Sequence, residues 1–253
     1  MKVAVLGLFL NEFFFIPYWQ KYYGDLFGYD NLYAVGDLAN DSSMKLLDLE
    51  VKKINYAPEV QANFGEHVEI VLQLQKQLLE TYDVVIFAEA DQFFVPDPDK
   101  YSNLKDYLEK NTQDYIKVSG WNVIHIPTQE EKFNPSKPIL GQRKFWFKDP
   151  EREDKLVIIR KPMTSYSWGF HNNQPDVERD PDLYNIHMHS CNLTTANSRC
   201  NTKTNNVPWW PGNGQILAGG HTWVQDEDLY KTWLDEAFAQ GITFIPDKFE
   251  GVV

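Results

Sequence analysis

Val84-Val85-Ile86-Phe87 constrains this chain more than any other stretch. Four consecutive apolar residues offer no polar face to water, so as a strand they need cover on both sides. The residues before them read as a helix. Over 67–82, Val68, Val71, Leu72, Leu78, Leu79 and Tyr82 fall on one stripe. A second helix is expected over about 101–110, burying Tyr101, Leu104, Tyr107 and Leu108. Upstream, 2–8 (KVAVLGL) and 32–36 (LYAVG) are further apolar runs, and 51–56 (VKKINY) is a weaker one. Pro17 suits the start of an intervening helix, where its missing N–H costs nothing, with Tyr18, Tyr22 and Phe27 on its inner face. Strand and helix alternating in this way predict an α/β fold with a mostly parallel central sheet flanked by helices.

The second half is less regular. Residues 126–150 read as a long excursion, 155–160 (KLVIIR) and 183–189 (LYNIHMH) as strands, and 192–222 as a long loop. A last helix is expected from Asp226, an N-cap residue, to Gly241, a stop. No repeat or flexible linker interrupts the chain, so a single domain over 1–253 is expected.

Charge narrows the function. The net charge of −12 opposes general binding to nucleic-acid backbones. A phosphate-bearing substrate then requires local cations or a metal. No apolar run is long enough to span a membrane. Lys2–Leu10 reads as a buried strand, since Asn11-Glu12 follows at once without a small-residue cleavage site. Cys191 and Cys200 are expected as two thiols in a reducing compartment, and the cytoplasm is the expected location.

In open α/β sheets, ligands bind beyond the carboxyl ends of the strands. Asn11 and Glu12 follow the first expected strand, Asp37 the second, and Glu89 and Asp91 the run 84–87. Asp37 serves equally well as a turn residue. Glu89 and Asp91 are the sharpest pair. On an extended chain, residues i and i+2 face the same way, so two carboxylates would stand side by side. A hard divalent cation, Mg²⁺ or Mn²⁺, relieves their repulsion. The plainer reading is a solvated acidic turn leading into Pro96-Asp97-Pro98. His187 and His189 repeat the i, i+2 spacing on another expected strand, and Cys191 continues the register. His171 is a further imidazole candidate. Trp168 suits either stacking on a sugar ring or filling the core. An aromatic content of 15% agrees with a carbohydrate-facing surface without requiring one.

These residues also form an ordered set. Asn11-Glu12, Trp19, Tyr22-Tyr23 and Gly28-Tyr29-Asp30 resemble the opening of family-2-like glycosyltransferases. Phe87 to Pro98 (FAEADQFFVPDP) resembles their metal motif, with Glu89 in place of the usual Asp and Gln92 in place of an acidic residue. Gly141-Gln142-Arg143, Lys155, Trp168-Gly169-Phe170-His171, Asp182 to His189 and Ile245-Pro246-Asp247 follow in the expected order.

The resemblance implies a GT-A (Rossmann-like) fold. Residues 1–125 would be the nucleotide-sugar-binding half and 126–253 an irregular acceptor-side half. It implies a UDP- or GDP-sugar donor, a carbohydrate acceptor and Mn²⁺ or Mg²⁺. Asp91 would be the principal metal ligand and His189 or His187 a further one, with Glu89 touching ribose or metal. Asn11, Glu12 and Asp37 would contact the donor, and Lys155 and Arg143 its phosphates. Trp168 would meet the acceptor. His171 would take the acceptor proton, ahead of Asp176 and Glu178, and the anomeric centre would invert. The competing readings are a non-catalytic carbohydrate-binding protein on the same sheet and a zinc hydrolase using His187, His189 and Cys191.

Overall fold

The computed structural model describes residues 1–56, 64–149, 154–166, 170, 173–174, 177–192, 195, 238–239 and 241–253. In chain order the elements are β1 (Val3–Leu8), α1 (Ile16–Phe27), β2 (Leu32–Gly36), β3 (Lys52–Asn55), α2 (Phe64–Leu78), β4 (Val84–Phe87), β5 (Gln92–Pro96) and α3 (Leu104–Lys110). There follow β6 (Tyr115–Ile124), β7 (Phe145–Lys148), β8 (Leu156–Ile159), β9 (Ser165–Tyr166), β10 (Asn173–Gln174), β11 (Arg179–Ser190) and β12 (Thr243–Phe244). The chain divides into two compact units. One comprises Met1–Pro58, Ala62–Trp121 and Asp149–His187; the other comprises Glu59–Gln61, Asn122–Lys148 and Met188–Val253.

The first unit is α/β. Four parallel strands in the order β4-β1-β2-β3 form its centre. β8 joins β4 antiparallel, and β6 joins β8 antiparallel with a register shift at Ile116/Lys117. Alternation along each strand divides the core. Ala4, Leu6, Val85 and Phe87 share one cluster with Val71 and Leu78 of α2. Val3, Val5, Val84 and Ile86 point to the other face and are equally buried. Both faces of the central strands are thus covered, as the unbroken apolar runs require.

Helix α1 begins with Ile16-Pro17, as expected, but its buried residues are Ile16, Trp19, Tyr23 and Gly24. Tyr18, Tyr22 and Phe27 are only half-buried. The expected inner face is therefore rotated by about one residue. Gly24 accounts for part of this: a Cβ there would stand 2.8 Å from the Tyr29 ring.

The run after β4 departs from expectation. The chain does not stay extended through Glu89 and Asp91. The Glu89 carbonyl accepts from the Gln92 amide at 3.0 Å, closing a turn. The chain then re-enters as β5, an unexpected strand that pairs antiparallel with β11. On its other side β5 meets tyrosine hydroxyls. Tyr23 Oη donates to the Gln92 carbonyl at 2.9 Å and accepts from the Phe94 amide at 3.2 Å, while Tyr22 Oη donates to the Phe94 carbonyl at 2.8 Å. Burial pushes both phenols up in pKa, so they remain protonated donors.

Strand β6 is a further element that the sequence reading does not include. Its polar and glycine-containing middle, Lys117-Val118-Ser119-Gly120, masks the strand period. Strand β11 is longer than 183–189, beginning at Arg179. Helix α3 starts at Leu104 and leaves Tyr101 outside it.

In the second unit β12 pairs antiparallel with β7 inside the expected excursion 126–150. Ile124, Ile126, Phe145 and Phe147 form its core cluster. Of the expected helix 226–241, only Phe238, Ala239 and Gly241 are described, and the first two are helical. Gly241 has φ +87 and donates to the Phe238 carbonyl, a C-terminal stop of the expected kind. The expected loop 192–222 lies almost wholly outside the described residues, as does Cys200; Cys191 is buried.

His125 gives this unit a pH dependence. Burial, reinforced by Arg143 beside it, lowers the imidazole pKa to about 4. The unfolded chain then binds a proton, near pH 6.5, before the folded chain does. This residue's contribution to stability is complete above about pH 6.5. It declines as pH falls from there to about 4, and levels off below. Glu130, raised by burial, acts with the opposite sign within the carboxylate range. Substituting His125 by Asn is expected to flatten the stability–pH curve between about pH 6.5 and 5, measured by denaturant unfolding.

Candidate metal centre

Parallel pairing brings the carboxyl ends of β1, β2 and β4 to one edge. Phe9 continues the pairing by donating to Val35, and Ala88 by donating to Leu6. The residues that follow these strands therefore gather along that edge.

At the end of β1, Asn11 adopts a left-handed backbone, φ +55, which asparagine tolerates better than most residues. A clasp from the loop after β2 holds it there. Asp41 Oδ2 accepts from the Asn11 amide at 2.8 Å, and Ser43 Oγ accepts from the Glu12 amide at 3.0 Å. Ser43 in turn donates to Asp41 Oδ1 through both its amide and its hydroxyl. Glu12 is buried, and its carbonyl accepts from Ile16 at the start of α1. Asp41 and Ser43 are absent from the sequence-based expectations, although Asn-Asp-Ser-Ser is a recognisable turn and cap signal.

Asp37 takes the turn role. Its carboxylate accepts from the Asn40 side chain at 2.8 Å and from the Asn40 and Ala39 amides at 3.0 Å. These bonds, the Asn40 side chain first, hold it below the usual carboxylate range.

Beyond β4, the turn separates Glu89 from Asp91. Glu89 Oε2 accepts from Lys155 Nζ at 2.7 Å and from Gln92 Nε2 at 3.0 Å. Lys155 is buried, with 4% of its side chain exposed against 34% for Glu89. Its backbone is pinned as well: the Lys155 carbonyl accepts from Val118 at 2.8 Å. Next door, Asp154 receives the Gly120 amide at 2.7 Å and Arg179 at 2.9 Å.

Asp91 meets the late strand. Register places His187 opposite Gln92, so the imidazole stands beside the residue that precedes Gln92. His187 Nε2 lies 3.5 Å from Asp91 Oδ2, and both side chains are largely buried. His189 is two residues further along the same strand and so shares the face of His187. One ligand atom from each of Asp91, His187 and His189 lies within 4.8 Å of the others.

This donor set fits a divalent cation. A gap of 3.5 Å is long for a charge-assisted hydrogen bond. Two ligand atoms each about 2.1 Å from one ion, at a tetrahedral angle, stand roughly 3.4 Å apart. The group contains Asp91 rather than the Cys191 of the zinc-hydrolase reading, and it does not contain Glu89.

Arg143, expected near donor phosphates, is buried in the second unit among backbone carbonyls. Its Nε donates to Cys191, and Nη1 donates to Glu131 at 3.3 Å and Gln142 at 3.1 Å. His171, Trp168 and Asp176 lie outside the described residues, and Glu178 is exposed. In the sequence Gln92 stands out only as a departure from an acidic residue. Its tie to Glu89 and its place opposite His187 depend on the turn and the β5–β11 register.

No protein-family model and no curated protein matches the chain. Among solved structures, it is similar to a mannose-1-phosphate geranyltransferase from Thermus thermophilus, with a TM-score of 0.35 and 11% identity. The match covers 64% of this chain and 51% of that one, so the chain spans about half the length of that neighbour. Among the described residues, no helix is long and apolar enough to cross a membrane.

Proposed function

We propose that this chain is a metal-dependent glycosyltransferase of the GT-A type, moving a sugar from a nucleoside-diphosphate donor to an acceptor hydroxyl. The observation that carries the reading is the grouping of Asp91 with His187 and His189, where Asp91 follows a buried parallel strand. In open α/β folds that edge is where ligands sit. Asp91, His187 and His189 would hold the cation, Mn²⁺ or Mg²⁺. Bound there, it would offset the negative charge that develops on a departing diphosphate.

The two cations expected near the donor support a role for a bound ion. Lys155 is committed to Glu89, and Arg143 to backbone carbonyls. With these two engaged elsewhere, the bound ion is the proposed neutraliser of the phosphates. Asn11 and Glu12, clasped by Asp41 and Ser43, and Asp37 form the rim proposed to meet the nucleotide. Trp168 remains the proposed acceptor platform and His171 the proposed proton acceptor, both on the family resemblance.

A thermal-shift screen tests the reading. UDP or GDP at about 100 times its dissociation constant is expected to stabilise the protein by about 2.7 kcal/mol, and only with Mn²⁺ or Mg²⁺ present. Stabilisation by free glycans, with no nucleotide effect under any ion, would replace the enzyme with a carbohydrate-binding protein.

A further inference from the structure

Arg143 is a buried cation whose hydrogen bonds go to main-chain carbonyls, and one of those carbonyls belongs to Cys191, two residues beyond His189. We propose that Arg143 is a positioning residue for His189. By holding the Cys191 carbonyl it fixes the end of β11, and so sets where that imidazole stands toward the cation. This rests on the reading that a cation binds at Asp91, His187 and His189.

Three observations support it. First, the main chain is held on both sides of His189. The Cys191 amide donates to the Met188 carbonyl at 3.0 Å, which closes the chain around His189 and Ser190. The His125 amide, just beyond β6, donates to the Ser190 carbonyl at 3.0 Å. Arg143 Nε adds the bond to the Cys191 carbonyl, which ties this strand end to the segment preceding β7. Second, Arg143 is itself fixed. Its guanidinium lies over the Phe133 ring, 5.5 Å from the centre. The neighbouring Gln142 side chain donates to the Pro138 carbonyl and accepts from the Asn134 amide, both at 2.7 Å. Gly141 has φ +103, and a Cβ there would stand 2.9 Å from Glu250 Cγ. The segment Gly141-Gln142-Arg143 is thus a firm base. Third, one planar group reaches carbonyls at three places in the chain, those of Glu131, Gln142 and Cys191. A guanidinium presents its donors in a fixed fork, so the end of β11 cannot shift without breaking the set. A metal ligand that leaves its place forfeits its bond to the ion. Outer partners of metal ligands are typically worth 10–100-fold in affinity. Arg143 acts through the main chain, so the lower figure applies.

Titration of the full chain with Mn²⁺, without nucleotide and followed by electron paramagnetic resonance, tests this. Arg143→Met removes the fork at similar length and is expected to weaken Mn²⁺ binding about tenfold. In a His189→Ala background the same change is expected to move affinity by less than about twofold, since the imidazole it places is gone. At saturating Mn²⁺, nitrogen modulation of the bound-ion signal is expected to fall from two imidazoles to one in Arg143→Met, as in His189→Ala. Arg143→Lys keeps the charge and a donor for Cys191 but not the fork, and is expected to bind about threefold more weakly than the starting protein. It also keeps the test decisive if Arg143→Met fails to fold. Equal losses in both backgrounds would make Arg143 a support of the whole fold and overturn the proposal. So would two imidazoles retained in Arg143→Met, or an affinity left unmoved by Arg143→Met or by His189→Ala. A protein that binds no Mn²⁺ removes this inference together with the reading beneath it. The expected pattern, in a protein that shows no nucleotide coupling, removes only the transferase reading.

Discussion

Asp91→Ala is expected to abolish the cation-dependent stabilisation by nucleotide while leaving the apo protein's unfolding midpoint nearly unchanged. Asp91 is the only carboxylate in the described group of three, so its loss leaves two neutral imidazoles to hold a doubly charged ion. Removing an outer partner of a metal ligand typically costs 10–100-fold in affinity, and removing the charged ligand itself is expected to cost at least about 100-fold. The fold should tolerate the change. Asp91 sits in a turn closed by the Glu89 and Gln92 backbones, and its side chain lies outside the hydrophobic clusters. Titrating Mn²⁺ into the variant, then repeating the nucleotide melt, separates the two effects. Retained Mn²⁺ affinity would move the cation elsewhere and remove the basis of the proposed function.

Trp19→Ala is expected to destabilise the protein by about 3–5 kcal/mol, among the largest single effects available here. The indole is fully buried and makes edge contacts with Phe9 and Tyr23, at centroid distances of 5.0 and 5.5 Å. Its Nε1 donates to the Ala88 carbonyl at 3.2 Å. Truncation thus empties a large volume and removes the donor from a buried acceptor. Ala88 immediately precedes Glu89, so the same change loosens the chain leading to Asp91 and the candidate metal group. Trp19→Phe keeps much of the ring volume but not the N–H, and is expected to cost less than half as much. Urea unfolding of both variants, with equal slopes, measures the difference. A Trp19→Ala cost below about 1 kcal/mol would mean that α1 is not anchored to β4 through this residue.

The parts of the fold legible in the sequence are those set by local periodicity. The apolar runs at 2–8, 32–36 and 84–87 are strands, and the stripe over 67–82 is a helix within a few residues. Strand β6 is hard to see because the alternation Ile116-Lys117-Val118-Ser119 is short and ends at Gly120; its partner β8 makes it a strand. Strand β5 is hidden in FAEADQFFVPDP for a related reason. A turn of four residues leaves little pattern, and β5 is completed by β11 and two tyrosine hydroxyls from distant parts of the chain.

The site divides along the same line. Residue type and spacing pointed to Asp91, which follows parallel strand β4, and to His187 and His189, which lie two residues apart within β11, and the antiparallel pairing of β11 with β5 groups the three. The same reasoning paired Glu89 with Asp91, on the premise of an extended chain. The turn separates them, and Lys155, 66 residues away in sequence, takes Glu89 instead. By itself the sequence determined which segments must be buried and which polar residues follow them, since hydrophobic period and strand ends are local properties. Only the tertiary structure decided that Glu89 pairs with Lys155 while Asp91 faces His187. That choice depends on burying Lys155 beside a counter-charge, and charge pairing in a protected interior is a matter of distance through space rather than along the chain.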